Sequence, residues 1–248
     1  MELLAGYTAL QVAAALATAF VAAFVRGLAG FGLAILLVPV LALALTPVEA
    51  VLATNFVALF IGLSEIRKIL RDAEKSALVI SGIVVLTTAP GLVLLAATPP
   101  DLARFLIALV ALSAFFAILL PTRAADVPGP LVTGAVGVTS GLLTGFAGMP
   151  GPPVVPYYVG RHIPRHIAKA SMLLIFTIAA LAGLGAGLAI GVLQWRLAIL
   201  ALLLFPAVLV GNWLGAKAFG KVSDPVWRSF VAFALFAAAA AALVKLLG

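Results

Sequence analysis

Two glycine-rich breaks interrupt apolar stretches of this sequence, Gly27-Leu-Ala-Gly-Phe-Gly32 and Gly145-Phe-Ala-Gly-Met-Pro-Gly151. Glycine permits unusual backbone angles and close approach, so peptide N–H groups ahead of the next helical segment can turn toward a ligand. The positive end of a helix dipole adds to them, and the combination suits an anion. On this reading Gly27, Gly30, Phe31 and Gly32 form one cradle, and Gly145, Gly148, Met149, Pro150 and Gly151 form a second that faces it. A proline at the first helical position gives up an N–H that had no partner, so the prolines after each break fit helix starts. Thr54, Asn55 and Ser171 stand further along and could donate more hydrogen bonds. Arg26 precedes the first cluster, and within a membrane segment it would attract the anion. The same residues have plainer uses, the glycines in tight helix packing and Arg26 as a loop residue at the end of a span.

Other polar residues offer less. His162 and His166 lie four apart, but Pro164 breaks the helix that metal binding would need, and no acidic residue or cysteine is near. No metal and no cofactor are expected. A loop meeting lipid phosphates is the simplest use of Arg161–His166, and proton uptake by either histidine during transport is a second. Tyr157 and Tyr158 read as interface anchors. Among the eight acidic residues Glu65, just before Arg67, is the candidate for coupling, although it could simply pair with a loop arginine. Gly183-Leu-Gly-Ala-Gly187 lacks the strand context and the lysine of a phosphate-binding loop. Ser140 and Ser171 have no histidine at a plausible depth, so an intramembrane protease and enzymatic activity in general are not expected.

The elements that must position these residues follow from composition. Of 248 residues 65% are hydrophobic and 9% charged, against about 45–50% and about 25% in soluble domains. So few charges cannot coat a soluble globule, which excludes a secreted domain, a nucleic-acid-binding domain and a soluble enzyme. There is no cysteine, so disulfides and thiolate metal sites are excluded. The expected class is an all-α integral membrane protein. Its N-terminal stretch lacks the basic region of a secretory signal and reads as a retained first span.

Apolar segments fall at 6–25, 28–45, 47–66, 76–97, 102–120, 130–147, 150–160, 165–192, 196–216 and 225–247. The second and seventh are short or glycine-broken, so eight to ten segments cross. If all ten cross, one side collects Arg26, Arg67, Lys68, Arg71, Lys75, Arg123, Arg161, Arg165, Lys169, Lys217, Lys221 and Arg228. The other collects Arg104, Arg196 and Lys245. Re-entrant second and seventh segments would erase that bias. Because cytoplasmic loops accumulate Lys and Arg, ten crossings with both termini outside the cytoplasm are expected.

The halves resemble each other at a spacing of about 118 residues, divided here as 1–124 and 125–248 of a single membrane domain. Ala19, Ala23 and Gly27 align with Gly137, Gly141 and Gly145, and Gly30 meets Gly148. With one deletion Pro39 meets Pro156, Pro47 meets Pro164, and Ala53-Thr54 meets Ala170-Ser171. Five segments per half is an odd number, so the second half enters from the opposite side. Such inverted repeats with interrupted helices are a common architecture of secondary transporters.

With these motifs, Val38-Pro39 and Ala53-Thr54-Asn55 included, the chain resembles the TauE/SafE family of sulfite exporter-like permeases over essentially its whole length. The resemblance implies transport of a small sulfur-containing anion (sulfite, an organosulfonate such as sulfoacetate, or a related compound) across the cytoplasmic membrane by alternating access. Its partners would be that anion and the lipid bilayer, with a second copy of the chain as a candidate and no nucleic acid. The second break departs from the glycine-rich form at Pro150, Pro152 and Pro153. Rival readings are a channel or carrier for a different small solute and a membrane assembly factor that transports nothing.

Overall fold

A computed structural model describes residues 9–119, 128–159 and 161–219. The segment expected at 225–247 lies outside them, as do Arg123, Lys221, Arg228 and Lys245. Ten helices follow in order: α1 Ala9–Ala29, α2 Leu33–Leu41, α3 Pro47–Ser64, α4 Ile66–Asp72, α5 Lys75–Ala97, α6 Pro100–Leu119, α7 Pro130–Ala147, α8 Gly151–Val159, α9 Arg165–Ala189 and α10 Trp195–Ala218. Six of them, α1, α3, α5, α7, α9 and α10, are long and apolar enough to cross a bilayer. Large apolar side chains also cover the outside of the bundle, Leu131 at 87% exposure and Leu86 at 77%. Such a surface suits hydrocarbon rather than water.

Local sequence explains the helix ends. Thr46 caps α3 by accepting from the Glu49 N–H while Glu49 reaches back to the Thr46 N–H, and Pro47 occupies the first turn. Together these satisfy orphan donors at a helix start. At the end of α1 and the start of α2, Gly30 and Gly32 take positive φ, 86° and 102°, and Gly148 at the end of α7 takes 67°. Side chains rarely adopt such angles, so each break stays where the glycines are. The helices that follow, α2 and α8, have nine residues each. As helix each reaches about 14 Å, under half of the ~30 Å hydrocarbon core. Residues 28–45 and 150–160 are therefore interrupted rather than continuous spans.

Packing shows where the interrupted helices go. α3 and α9 lie antiparallel at the centre, with Gly187 against Leu52, Gly183 against Asn55 and Gly62 against Thr177. α10 lies along α1 in the same direction, Gly211 on the Phe20 carbonyl and Gly215 on that of Phe24. α7 lies along α5 in the same manner, with Gly141 on Thr87 and Val84, and Gly145 on the Thr88 carbonyl. The Cβ-free approach expected of an every-fourth-residue glycine face is thus used on α7 and is answered on α10. Gly187 packs in the same way, whereas Gly191 sits at positive φ, 75°, just beyond the end of α9.

Both breaks open into the middle of the bundle, and their short helices leave toward opposite ends. α2 runs to the end where the Arg104 Nε donates to the Ala42 carbonyl at 2.9 Å and Arg196 pairs with Glu49. α8 runs to the end where Tyr158 meets Ser76 at 2.7 Å and Arg161 pairs with Glu74. Arg26, Arg67, Lys68, Arg71, Lys75, Arg161, Arg165, Lys169 and Lys217 gather toward this second end, against Arg104 and Arg196 at the first.

A methyl group on Gly145 would strike the backbone of α5, whereas one on Gly134 would meet nothing within 4 Å. Gly145→Ala should therefore lower stability by roughly 1–3 kcal/mol through overpacking, with Gly134→Ala neutral or slightly stabilising. Thermal unfolding of both variants in detergent, followed by loss of monodisperse protein, measures this difference.

Candidate functional site

The two breaks meet at one cavity. Arg26, Phe31, Gly32, Leu33, Ala34 and Ile35 line it from the first break, and Gly148, Met149, Pro150 and Gly151 from the second. Asn55 and Ala58 of α3 and Phe176, Thr177 and Ala180 of α9 complete the wall. Asn55 and Thr177 lie near the midpoints of their helices, so the cavity sits deep in the bundle.

Its charged wall is Arg26, 5% exposed. The Arg26 Nη1 donates to Glu65 Oε2 at 2.8 Å and to Asn212 Oδ1 at 2.7 Å. The Asn212 amide donates in turn to Glu65 Oε1 at 3.2 Å, which closes a three-membered ring across α1, α3 and α10. Both Arg26 bonds use Nη1, so the other edge of the guanidinium fork takes part in neither. Lys169 of α9 lies alongside, its Nζ donating to the Gly27 carbonyl and standing 4.4 Å from the centre of the Phe219 ring.

The polar floor comes from α2. Its first intrahelical bond is Leu36 N–H to the Gly32 carbonyl at 3.2 Å. The N–H groups of Leu33, Ala34 and Ile35 precede it and have no partner within the helix, as at any helix start. Asn55, 3% exposed, also lines the cavity, with its Nδ2 unpartnered and packed against Gly183 of α9. Buried polar groups are nearly always paired, so this amide is an exception beside the cavity. Thr177 contributes less, because its hydroxyl already donates to the Leu173 carbonyl at 2.7 Å.

The second break does not mirror the first in chemistry. Pro150, Pro152 and Pro153 have no N–H, which leaves Gly151 as the donor at the start of α8. The Pro150 carbonyl faces inward to accept from Ser140 at 3.1 Å. The N–H groups at helix starts beside the cavity therefore belong mainly to α2, and the wall opposite is largely apolar.

Several expected ligand residues stand elsewhere. Gly27 packs on the Asn212 backbone and Gly145 on α5. Gly30 supports the Lys169 side chain, 2.8 Å from where a Cβ would lie. Thr54 is fully buried without a partner but does not line the cavity. Ser171 accepts the Glu74 N–H at 3.0 Å, near the basic end. His162 and His166 are exposed at that same end. Of the three coupling candidates, Glu65 alone reaches the cavity's charged wall.

A family model for the sulfite exporter TauE/SafE matches residues 15–242. The chain belongs to the TauE/SafE family. Membership makes it a multi-pass membrane transporter for sulfur anions such as sulfite, and accounts for the bilayer and a small anion as its partners. No individually curated protein and no solved structure matches the chain.

Two polar residues of this TauE/SafE site escaped sequence reasoning. Asn212 is the lone amide in an apolar 24-residue helix, a signal that intramembrane polar residues carry by default. Lys169 lies inside the segment read at 165–192 and figures in the sequence only among the basic residues of one side. Its place on the first turns of α9, over the C-terminal end of α1, depends on tertiary packing.

Replacing Asn55 with leucine removes an unpaired buried amide and leaves no partner stranded. Asn55→Leu should therefore match or exceed the wild type in melting temperature. A loss of several degrees in a detergent melt would mean that the amide is already satisfied.

Proposed function

We propose that this TauE/SafE protein carries a small sulfur oxyanion, sulfite or an organosulfonate such as sulfoacetate, across the cytoplasmic membrane. The observation that carries the reading is the meeting of a buried arginine, a helix start and an unpaired amide at one deep cavity. An oxyanion leaving water loses strong hydration, and these groups replace it. The Arg26 guanidinium supplies charge-assisted bonds, the α2 start supplies oriented N–H dipoles, and Asn55 adds a polar side chain to the wall.

Transport proceeds by alternating access between two inverted halves, residues 1–124 and 125–248. In support, α1 and α7 each end in a glycine break, each is followed by a nine-residue helix with an internal proline, and each packs in parallel on a long helix of the other half. The end carrying Arg67, Lys68, Arg71, Arg161 and Arg165 faces the cytoplasm, by the preference of basic residues for that side. Both termini then lie outside it.

Uptake into reconstituted vesicles tests the function, with sulfite, a sulfonate, sulfate and chloride compared. Sulfite or sulfonate flux is expected in the wild type, and Arg26→Gln should lower it by about a hundredfold, in line with the loss of charge-assisted hydrogen bonds. Asn55→Leu should lower it by about tenfold. Wild-type vesicles that pass chloride but no sulfur anion would sink the reading. Accessibility labels at Lys68 and His162 should both report the cytoplasmic side.

A further inference from the structure

Arg26 lines the cavity and is held through its Nη1 by Glu65 and Asn212. Lys169 is the next cation, with Glu65 and Arg26 as its electrostatic neighbours. Arg26, Asn212 and Lys169 face Glu65 from α1, α10 and α9. On α4, Lys68 approaches Lys169 but is exposed, and solvent and salt screen it. Among the described residues, the rest of the cavity wall, from α2, α3, α7, α8 and α9, contributes no ionisable side chain. Among the described residues, the buried Arg26 and the half-buried Lys169 against the half-buried Glu65 leave a single positive charge beside the cavity.

We propose that this charge count selects the cargo, with Glu65 as the specificity-determining residue: the site accepts singly charged oxyanions and discriminates against doubly charged ones. The inference rests on the cavity being the anion site proposed above. A buried charge is tolerated when it is paired and is expensive when it is not. One monoanion beside Arg26 brings this cluster to neutrality. A dianion leaves one negative charge uncompensated in a low-dielectric wall, where the start of α2 and the Asn55 amide offer only partial charges. Sulfonates and hydrogensulfite carry one charge, whereas sulfate and fully ionised sulfite carry two. Sulfite would therefore travel as hydrogensulfite.

Glu65 sets the count because it touches Arg26 and reaches Lys169, yet it does not line the cavity. Glu65→Gln preserves its size and can still accept from Arg26, while the local charge rises from one to two. At Coulomb separations of several ångströms and an effective dielectric of about 20, one added unit charge favours a dianion over a monoanion by about tenfold or more.

The test measures binding of methanesulfonate, sulfate and sulfite to the full-length protein in lipid nanodiscs by calorimetry. Wild type should prefer methanesulfonate to sulfate by at least about tenfold. Between pH 8 and pH 6 the ratio of sulfite to methanesulfonate affinity should rise severalfold as hydrogensulfite replaces sulfite. Methanesulfonate keeps one charge throughout, so it corrects for titration of the protein's own groups. Glu65→Gln should reduce the preference for the monoanion by about tenfold, and the Glu65→Gln/Lys169→Gln double variant should restore it. Equal wild-type binding of sulfate and methanesulfonate, or an unchanged ratio in a Glu65→Gln protein that still binds, would overturn the charge rule alone. If wild type binds none of the three, the cavity is not the anion site and the rule falls with it. Should Glu65→Gln fail to fold, the wild-type selectivity and pH series decide the matter without it.

Discussion

A guanidinium 5% exposed among apolar helices requires a partner at every stage of its working cycle. Much of the geometry around the cavity follows from that requirement at Arg26. Glu65 stands at the end of α3 and Asn212 about three-quarters of the way along α10, so both helices must come close to α1 at one level. Close approach is possible because Gly27, Gly211 and Gly215 present bare backbone at that seam. Removing one partner from such a buried pair costs about 3–5 kcal/mol, far more than a surface pair contributes. The ring of Arg26, Glu65 and Asn212 is thus a structural joint between three helices as well as one wall of the site.

The same contact chemistry fixes the other wall. Gly141 and Gly145 bring α7 onto α5 as Gly211 and Gly215 bring α10 onto α1. Each seam sets the depth at which its helix breaks, and the central pair α3 and α9 holds the two breaks face to face. Tight seams of this kind matter in a bilayer because lipid tails are as apolar as leucine. Close packing and hydrogen bonds then have to supply what the hydrophobic effect supplies in water.

The fold was legible where the signal was local. Composition gave the membrane class, the prolines and charges gave most helix ends, and the glycine clusters located both breaks to within a residue or two. The cavity was legible in part for the same reason: Phe31, Gly32, Asn55, Gly148 and Gly151 lie at or near the motifs, and the structure brings them together. Glycine spacing alone does not say whether a bare backbone faces a ligand or a helix, and Gly27 and Gly145 turned out to face helices. That distinction depends on which helix lies alongside, which is tertiary information. Asn212 and Lys169 were missed because their importance comes from partners 186 and 142 positions away in the chain.

The departure at Pro150, Pro152 and Pro153 has a consequence for how the two halves share the work. In a strictly symmetric pair of cradles, an anion could be passed between equivalent sites with little change in energy. Here α2 presents three N–H groups and Arg26 stands beside them, while the start of α8 presents Gly151 within a wall of proline, Met149 and Phe176. An anion bound in the proposed manner is held from the first half and merely enclosed by the second. Movement of α8 and its wall would then leave the ligand's bonds intact, whereas movement of α1 against α10 would strain the joint that keeps the Arg26 charge paired. Opening by displacement of the apolar wall costs no buried hydrogen bond to the anion and leaves no charge unpaired. On the proposed reading, the chemical inequality of the halves makes the charged side the anchor for the anion and leaves the apolar side free to move within the alternating cycle.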